Sequence, residues 1–195
     1  MSATHRSLRW RTLRGAEGEG AETAIGLEHV DLKIAETGVT AEGVAIGGEG
    51  ETAFGARWRI GIDAEWACVR SLHLTRLGGA TVALRHDGYG AWTDGEGKPR
   101  KDFAGILDVF VEGSPFGLMA LVRRLGKKAE KAQTLEAIHV SLPDLEIAKI
   151  AVALKPSAGG RHLAVALGET AVEVDLDEDG VPKRFGAGIE RVSAP

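Results

Sequence analysis

The residues of this sequence whose types and spacing could do chemistry lie between positions 106 and 124. In the run GILDVFV, Asp108 is predicted in mid-strand, on the same face as Ile106 and Phe110, because alternate residues of a strand share a face. A carboxylate on a buried apolar face needs a partner, since burying an unpaired charge is prohibitive. Arg123 and Arg124 follow in the run SPFGLMALVRRLG and are the predicted partners. If the face is buried, the pair is a fixed polar point in an apolar chamber; if it is solvated, Asp108 has no such role.

A second candidate is His29, in the run GLEHVDL. The alternation places His29 on the face opposite Val30 and Leu32, so it is either exposed without a role or an acid–base group. An enzyme acting on a lipid or sugar would need His29, Asp108 or another carboxylate within hydrogen-bond reach across a cavity. The usual catalytic signatures are missing, among them Gly-x-Ser-x-Gly, His-Glu-x-x-His and the nucleotide-binding glycine motifs. We therefore assign no catalytic residue.

Four tryptophans, each in or beside a predicted strand, make up much of the aromatic content. Aromatic side chains on inward faces are first of all core. The interior of a large curled sheet can, however, exceed what side chains fill, and such sheets hold ligands. In that case Trp10, Trp58 and Trp66, together with Phe110 and Phe116, would form an apolar wall.

Short strands must position these groups, because apolar segments recur at intervals of about ten residues with glycine and Asp-Gly turns between them. The clearest is AFGARWRIGID, in which Phe54, Trp58 and Ile60 alternate with arginines. The predicted strands are Ser7–Arg14, Leu27–Ala35, Val39–Ile46, 53–63, Trp66–Leu77, Thr81–Asp87, Tyr89–Trp92, 106–110, Leu135–Leu142, Leu145–Leu154, Arg161–Leu167, Thr170–Leu176 and Val181–Phe185.

One segment, SPFGLMALVRRLG, carries the local signals of a helix. Ser114 is suited to cap it, Pro115 to occupy its first position and Gly126 to end it. Leucines and a valine recur between these ends at helical spacing. Apart from this segment, the sequence predicts a mainly β fold with little helix. We expect a single domain over residues 1–195, in which a curled antiparallel sheet forms a barrel or half-barrel.

Composition excludes several function classes. A net charge of -4 argues against nucleic acid as a partner, which requires a clustered basic face. The lone Cys68 rules out an internal disulfide, and the six scattered histidines predict neither a metal site nor a cofactor. No window approaches the roughly 20 apolar residues of a transmembrane segment, and the N-terminus has no signal-peptide core, so a cytoplasmic location is expected. The sequence specifies no oligomeric state.

A resemblance runs through nearly the whole chain. The runs GLEHVDL, RWRIGIDAEWACVRSLHL, LRHDGYGAWTDGEGK, FAGILDVFVEGSPF with VRRL, VSLPDLEI and VDLDEDGVPKRF resemble, in this order, the bacterial putative glycolipid-binding family, formerly a domain of unknown function. The resemblance implies a curled antiparallel fold similar to periplasmic lipoprotein carriers, with a lipid or glycolipid in an apolar cavity. Family members carry a proline where Leu121 stands, which implies extended or irregular backbone after Phe116 instead of a helix.

The sequence therefore predicts a binding protein, not an enzyme, for a lipid or glycolipid. The predicted ligand-binding residues are the apolar wall described above, the polar group of Asp108, Arg123 and Arg124, and His29. Two alternatives stay open: an enzyme acting on a lipid or sugar through Asp108 or His29, and an interaction module that uses a sheet face or edge and has no cavity.

Overall fold

The computed structural model describes residues 3–14, 23–126, 131–157 and 161–192. Within these ranges the chain forms fourteen β-strands and one α-helix. The helix, α1, spans Phe116–Leu125. The strands are β1 (Thr4–Arg14), β2 (Thr23–Ala35), β3 (Gly38–Gly47), β4 (Phe54–Ile62), β5 (Val69–Arg76), β6 (Thr81–His86), β7 (Trp92–Asp94), β8 (Val109–Val111), β9 (Gln133–Val140), β10 (Ile147–Pro156), β11 (His162–Leu167), β12 (Thr170–Leu176), β13 (Pro182–Phe185) and β14 (Ile189–Arg191).

These strands form one sheet, in the order β7-β6-β5-β4-β3-β2-β1-β14-β13-β12-β11-β10-β9-β8. Neighbours are antiparallel except β8 and β9, which are parallel. Since β7 lies at one end of the order and β8 at the other, the sheet is curled but not closed. The prediction of a mainly β, single-domain fold with a curled antiparallel sheet and little helix is confirmed. The sheet does not close into a complete barrel.

Period-two alternation predicts the strands well where one face is buried. In β4, for example, Trp58 and Ile60 are buried while Arg57 and Arg59 are exposed. The prediction is wrong at Trp66, which lies in a turn with a positive φ of 60° before β5 begins.

The Asp-Gly turn after β6 is longer than the sequence predicts. The Asp87 carboxylate accepts hydrogen bonds from the backbone N–H groups of Tyr89 and Ala91, so β7 begins only at Trp92. The sequence also missed β14, whose three residues carry no pattern of their own.

The helix α1 forms where the local signals predict it. The N-cap residue is Pro115, one position later than predicted, and no side chain in the described ranges caps the helix, although the Ser114 hydroxyl accepts a hydrogen bond from the backbone N–H of Phe116 at 3.3 Å. Gly126 ends the helix with a φ of 51°. The extended backbone that the family resemblance implies for this segment is wrong. The middle residues of α1, Leu118 to Leu121, are apolar and buried. No helix in the described ranges is long and apolar enough to cross a bilayer.

Two core clusters lie on opposite faces of the β8–β9 edge. Val109 and Val111 pack in one cluster and Phe110, between them, in the other, because successive strand residues point to opposite faces. The first cluster fills the N-terminal half, strands β1–β7, and the second lines the C-terminal half, strands β9–β13. The helix contributes to both, with Phe116 in the first and Leu118 in the second. The edge and the helix thus divide the interior into two compartments.

Candidate functional site

Asp108 lies immediately before β8 and is buried, as one of the two alternatives requires. The Nε and Nη2 atoms of Arg124 donate to its two carboxylate oxygens at 3.0 and 2.6 Å, which is a bidentate ion pair. Burial raises the pKa of Asp108, and Arg124 opposes that rise. The pair ties the end of α1 to the start of β8. The predicted common face of Ile106 and Phe110 does not form. The two side chains pack in different core clusters, because the regular strand begins only after Asp108.

Arg123 is not a partner of Asp108. Its guanidinium lies over the ring of Trp66, 4.9 Å from the ring centroid, in a cation–π contact. Burial lowers the pKa of Arg123, and the nearby Arg6 lowers it further. Its Nε atom is buried without a hydrogen bond to any described residue. The two neighbouring arginines therefore make different contacts at the same end of α1.

Trp10, Trp58 and Phe116 are fully buried in the core of the N-terminal half. The rings of Trp58 and Phe116 lie 5.4 Å apart, and the indole N–H of Trp10 donates to the carbonyl of Pro182 at 2.9 Å. Aromatic rings in such contacts occupy the interior of this half. They pack as core in this structure.

His29 lies on the outer face of β2 and is exposed. Its Nδ1 atom accepts a hydrogen bond from Nε of Arg9 at 3.3 Å. Asp108, by contrast, is buried against Arg124. The structure does not bring the two candidate acid–base groups together.

Glu28, which the sequence analysis passed over, is the buried acid of β2. Its Oε1 accepts a hydrogen bond from the indole N–H of Trp58 at 3.0 Å. Its Oε2 is buried and makes no hydrogen bond of normal geometry within the described part of the chain. Burial raises the pKa of Glu28 to about 7, while the nearby Ser114 hydroxyl and the Trp58 N–H partly offset the rise. The signal was available, because Glu28 shares its face with Val30.

An apolar cleft of about 440 Å³ opens on the inner face of the C-terminal half. Val111 and Ile189, which pack in or against the first core cluster, contribute to its apolar lining. The other large apolar side chains come from β8 and from four strands of that half, and they pack in or against the second core cluster. The lining residues concerned are Phe110, Ile150, Leu167, Val172 and Phe185. Of the predicted site residues, Phe110 lines this cleft.

Polar groups stand at one side of the cleft. His139, Glu112 and Ser114 contribute to its lining. Burial lowers the pKa of His139, and Glu112 opposes that shift. The lowered pKa favours the neutral imidazole, in which one nitrogen donates and the other accepts. The cleft combines an apolar wall with groups that can bind hydroxyls.

A smaller cleft of about 170 Å³ lies beside the first and shares Glu112 and Gly113 with it. Its other lining residues include Leu27, Glu28 and Ile46. The turn at residues 112–113 therefore separates two neighbouring clefts. In the described ranges, no group of three or more acidic, histidine or cysteine side chains is placed to hold a metal ion.

One family model matches most of the chain. The family model described as "Putative glycolipid-binding" matches residues 19–191. The structure of a DUF1089 family protein from Pseudomonas aeruginosa is similar, with a TM-score of 0.73 and 23% sequence identity over 92% of this chain and 99% of that chain. At that identity the likeness shows the fold alone. No curated protein matches the sequence.

Proposed function

The chain belongs to the putative glycolipid-binding family, and we propose that it binds the apolar part of a lipid or glycolipid in the cleft of its C-terminal half. The observation that carries the proposal is the cleft of about 440 Å³ lined by aliphatic and aromatic side chains. Small-molecule sites commonly measure about 300–1,000 Å³ and have mainly apolar walls. Each methylene group buried there contributes about 0.8 kcal/mol, so a short acyl segment gives useful affinity.

The polar headgroup of the ligand lies against Glu112 and His139 in this proposal. Glu112 is fixed, because its Oε2 accepts a hydrogen bond from the backbone N–H of Leu142 at 2.7 Å. A fixed carboxylate and a neutral imidazole suit the hydroxyl groups of a sugar or glycerol, since both can accept a hydrogen bond from a hydroxyl. A few such placed polar groups orient a ligand that apolar burial holds.

Asp108 and the arginines take a different role in this proposal from the one that the sequence suggests. Asp108 and Arg124 already satisfy each other, and Arg123 lies on Trp66. They hold the end of α1 in place, and the helix in turn supports the wall at Phe110. Binding of this kind needs no acid–base group, which accords with the separation of His29 from Asp108.

The proposal is tested by filling the cleft. We expect the purified protein to bind a fluorescent fatty-acid analogue and to release an amphiphile into organic solvent, detected by mass spectrometry. Ile150→Trp places a large ring in the cleft and should weaken binding at least tenfold. Ala151→Trp, on the opposite, exposed face of β10, is the matched control and should bind as the native protein does. Undiminished binding by Ile150→Trp, or no binding by the native protein, would overturn the proposal.

A further inference from the structure

We infer that the outer face of strands β2–β4 is a membrane-contact surface, which docks the protein on an anionic lipid bilayer. The surface centres on four large apolar side chains, here called the outer apolar patch: Leu27, Val44, Ile46 and Leu77. Each is at least half exposed, with 50% to 67% of its surface open to solvent. Single exposed apolar residues need no explanation, whereas contiguous ones mark interaction sites.

Strand register makes the patch contiguous. Leu27 of β2 lies directly opposite Ile46 of β3, and Ile46 lies opposite Gly55 of β4. Leu77 covers Gly55: its N–H donates to the Gly55 carbonyl at 2.8 Å, and a Cβ on Gly55 would meet its Cδ1 at 2.8 Å. Directly paired side chains on one sheet face are about 5 Å apart. The three leucine and isoleucine side chains therefore form a continuous row across the sheet.

Val44 extends the patch toward two arginine side chains. It lies two residues from Ile46 on the same face, opposite Arg57 on one side and His29 on the other. The guanidinium of Arg57 has no hydrogen-bond or ion-pair partner among the described residues. Arg9, the next residue of this row, donates only to His29. Two arginines without acidic partners thus flank the apolar side chains.

Of the acidic groups near the patch, Asp31, on the same face as His29 and opposite Glu42, makes no ion pair with a described residue, whereas two others are paired. Glu42 pairs with Arg59, and Glu49 pairs with Arg14. Glu51, at the end of the patch, is exposed. Apolar side chains that enter the acyl boundary, combined with cationic side chains that meet anionic headgroups, are the features of a membrane-surface site. This combination favours a bilayer over a protein partner.

The patch adjoins the ligand-binding region. Leu27 and Ile46 also line the smaller cleft, and that cleft shares the turn at Glu112 with the larger one. A protein docked through the patch would bring the rim of both clefts to the lipid. This last step rests on the proposed function, but docking itself does not require it.

Flotation with vesicles tests the surface. We expect the native protein to bind phosphatidylcholine–phosphatidylglycerol vesicles and to bind phosphatidylcholine vesicles at least fivefold more weakly. Leu77→Glu and Ile46→Glu should each lower binding to the mixed vesicles at least tenfold. Tyr89→Glu introduces the same charged residue at an almost fully exposed site outside the patch, and it should not lower binding. Arg57→Gln should lower binding severalfold and only on the mixed vesicles. Circular dichroism melting checks that each variant is folded.

Several results would overturn the inference. They are the absence of vesicle binding by the native protein, equal loss in Tyr89→Glu and Leu77→Glu, and a dimer in light scattering that Leu77→Glu dissociates while vesicle binding is unaffected. Failure of the proposed function is distinguishable. Leu77→Glu should still bind the fatty-acid analogue in vesicle-free solution, and Ile150→Trp should still float with vesicles.

Discussion

The N-terminal half of the sheet encloses large aromatic rings, whereas the C-terminal half encloses a cleft of about 440 Å³ with mostly aliphatic walls. In the first, Trp10, Trp58, Trp92, Phe103 and Phe116 are each no more than 1% exposed. Both halves are built from strands with one buried face. The difference comes from the size of the side chains that point into each interior.

The N-terminal half receives one face of the β8–β9 edge as well as part of α1. The C-terminal half receives the other face of that edge and the helix residues Leu118, Leu121 and Leu125. Its inner positions carry smaller side chains, such as Val172 and Leu167, and these leave part of the space open. The fully buried tryptophans, Trp10, Trp58 and Trp92, therefore mark the half that is filled. We predict that substitutions affect stability in the first half and binding in the second.

The largest expected effect is the loss of a core aromatic residue. Trp58→Ala should lower the free energy of unfolding by about 3–5 kcal/mol, because it removes a fully buried ring and leaves a cavity. Leu167→Ala, in the lining of the cleft, should cost only about 1 kcal/mol, since that side chain already borders open space. Urea unfolding of both variants measures the contrast. Equal losses would mean that the two interiors are equally packed.

The two arginines of α1 give a contrast within one turn of helix. Arg124→Met should lower the free energy of unfolding by about 3 kcal/mol, because it leaves the buried Asp108 carboxylate unpaired. Arg123→Met should cost about 1 kcal/mol, the size of a partly exposed cation–π contact. Urea unfolding of the two variants tests whether Arg124, and not Arg123, is the partner of Asp108. A larger loss for Arg123→Met would contradict it.

Glu28 makes the packed half sensitive to pH. Its pKa is raised to about 7 in the folded protein from 4.5 in the unfolded chain, so folding favours the protonated form. The resulting penalty is absent below pH 4.5, grows between pH 4.5 and 7, and is complete above pH 7. Glu28→Gln removes it and should stabilise the protein by at most about 3 kcal/mol at pH 8, with little effect at pH 4. Unfolding of both proteins across this range measures the difference. A pH-independent difference would rule out titration of Glu28 as its cause.

Local patterns account for most of the fold and for little of the site. Period-two alternation predicts β4, and capping and glycine signals predict α1. The same alternation identifies Glu28 as buried and His29 as exposed. The sequence predicts that a buried Asp108 needs a partner, but it does not distinguish Arg124, which pairs with Asp108, from Arg123, which lies over Trp66.

The cleft could not be derived from the sequence, because empty space is a long-range property. It depends on which side chains the β8–β9 edge and α1 direct into each half and on how far the sheet curls, and no single residue encodes either. Its lining residues, such as Ile150 and Val172, look like ordinary strand residues. The tryptophans suggested a wall because of their size, and in the structure that size fills the interior.

The most direct test of the contrast between the halves is a methyl NMR titration with an alkyl glucoside below its critical micelle concentration. We predict shifts at the methyl groups of Ile150 and Leu167, in the C-terminal half, with dissociation constants that agree between them. The methyl groups of Leu72 and Leu74, in the packed half, should not shift. Shifts confined to Leu72 and Leu74, or no shifts at any of these methyl groups, would contradict binding in the C-terminal cleft.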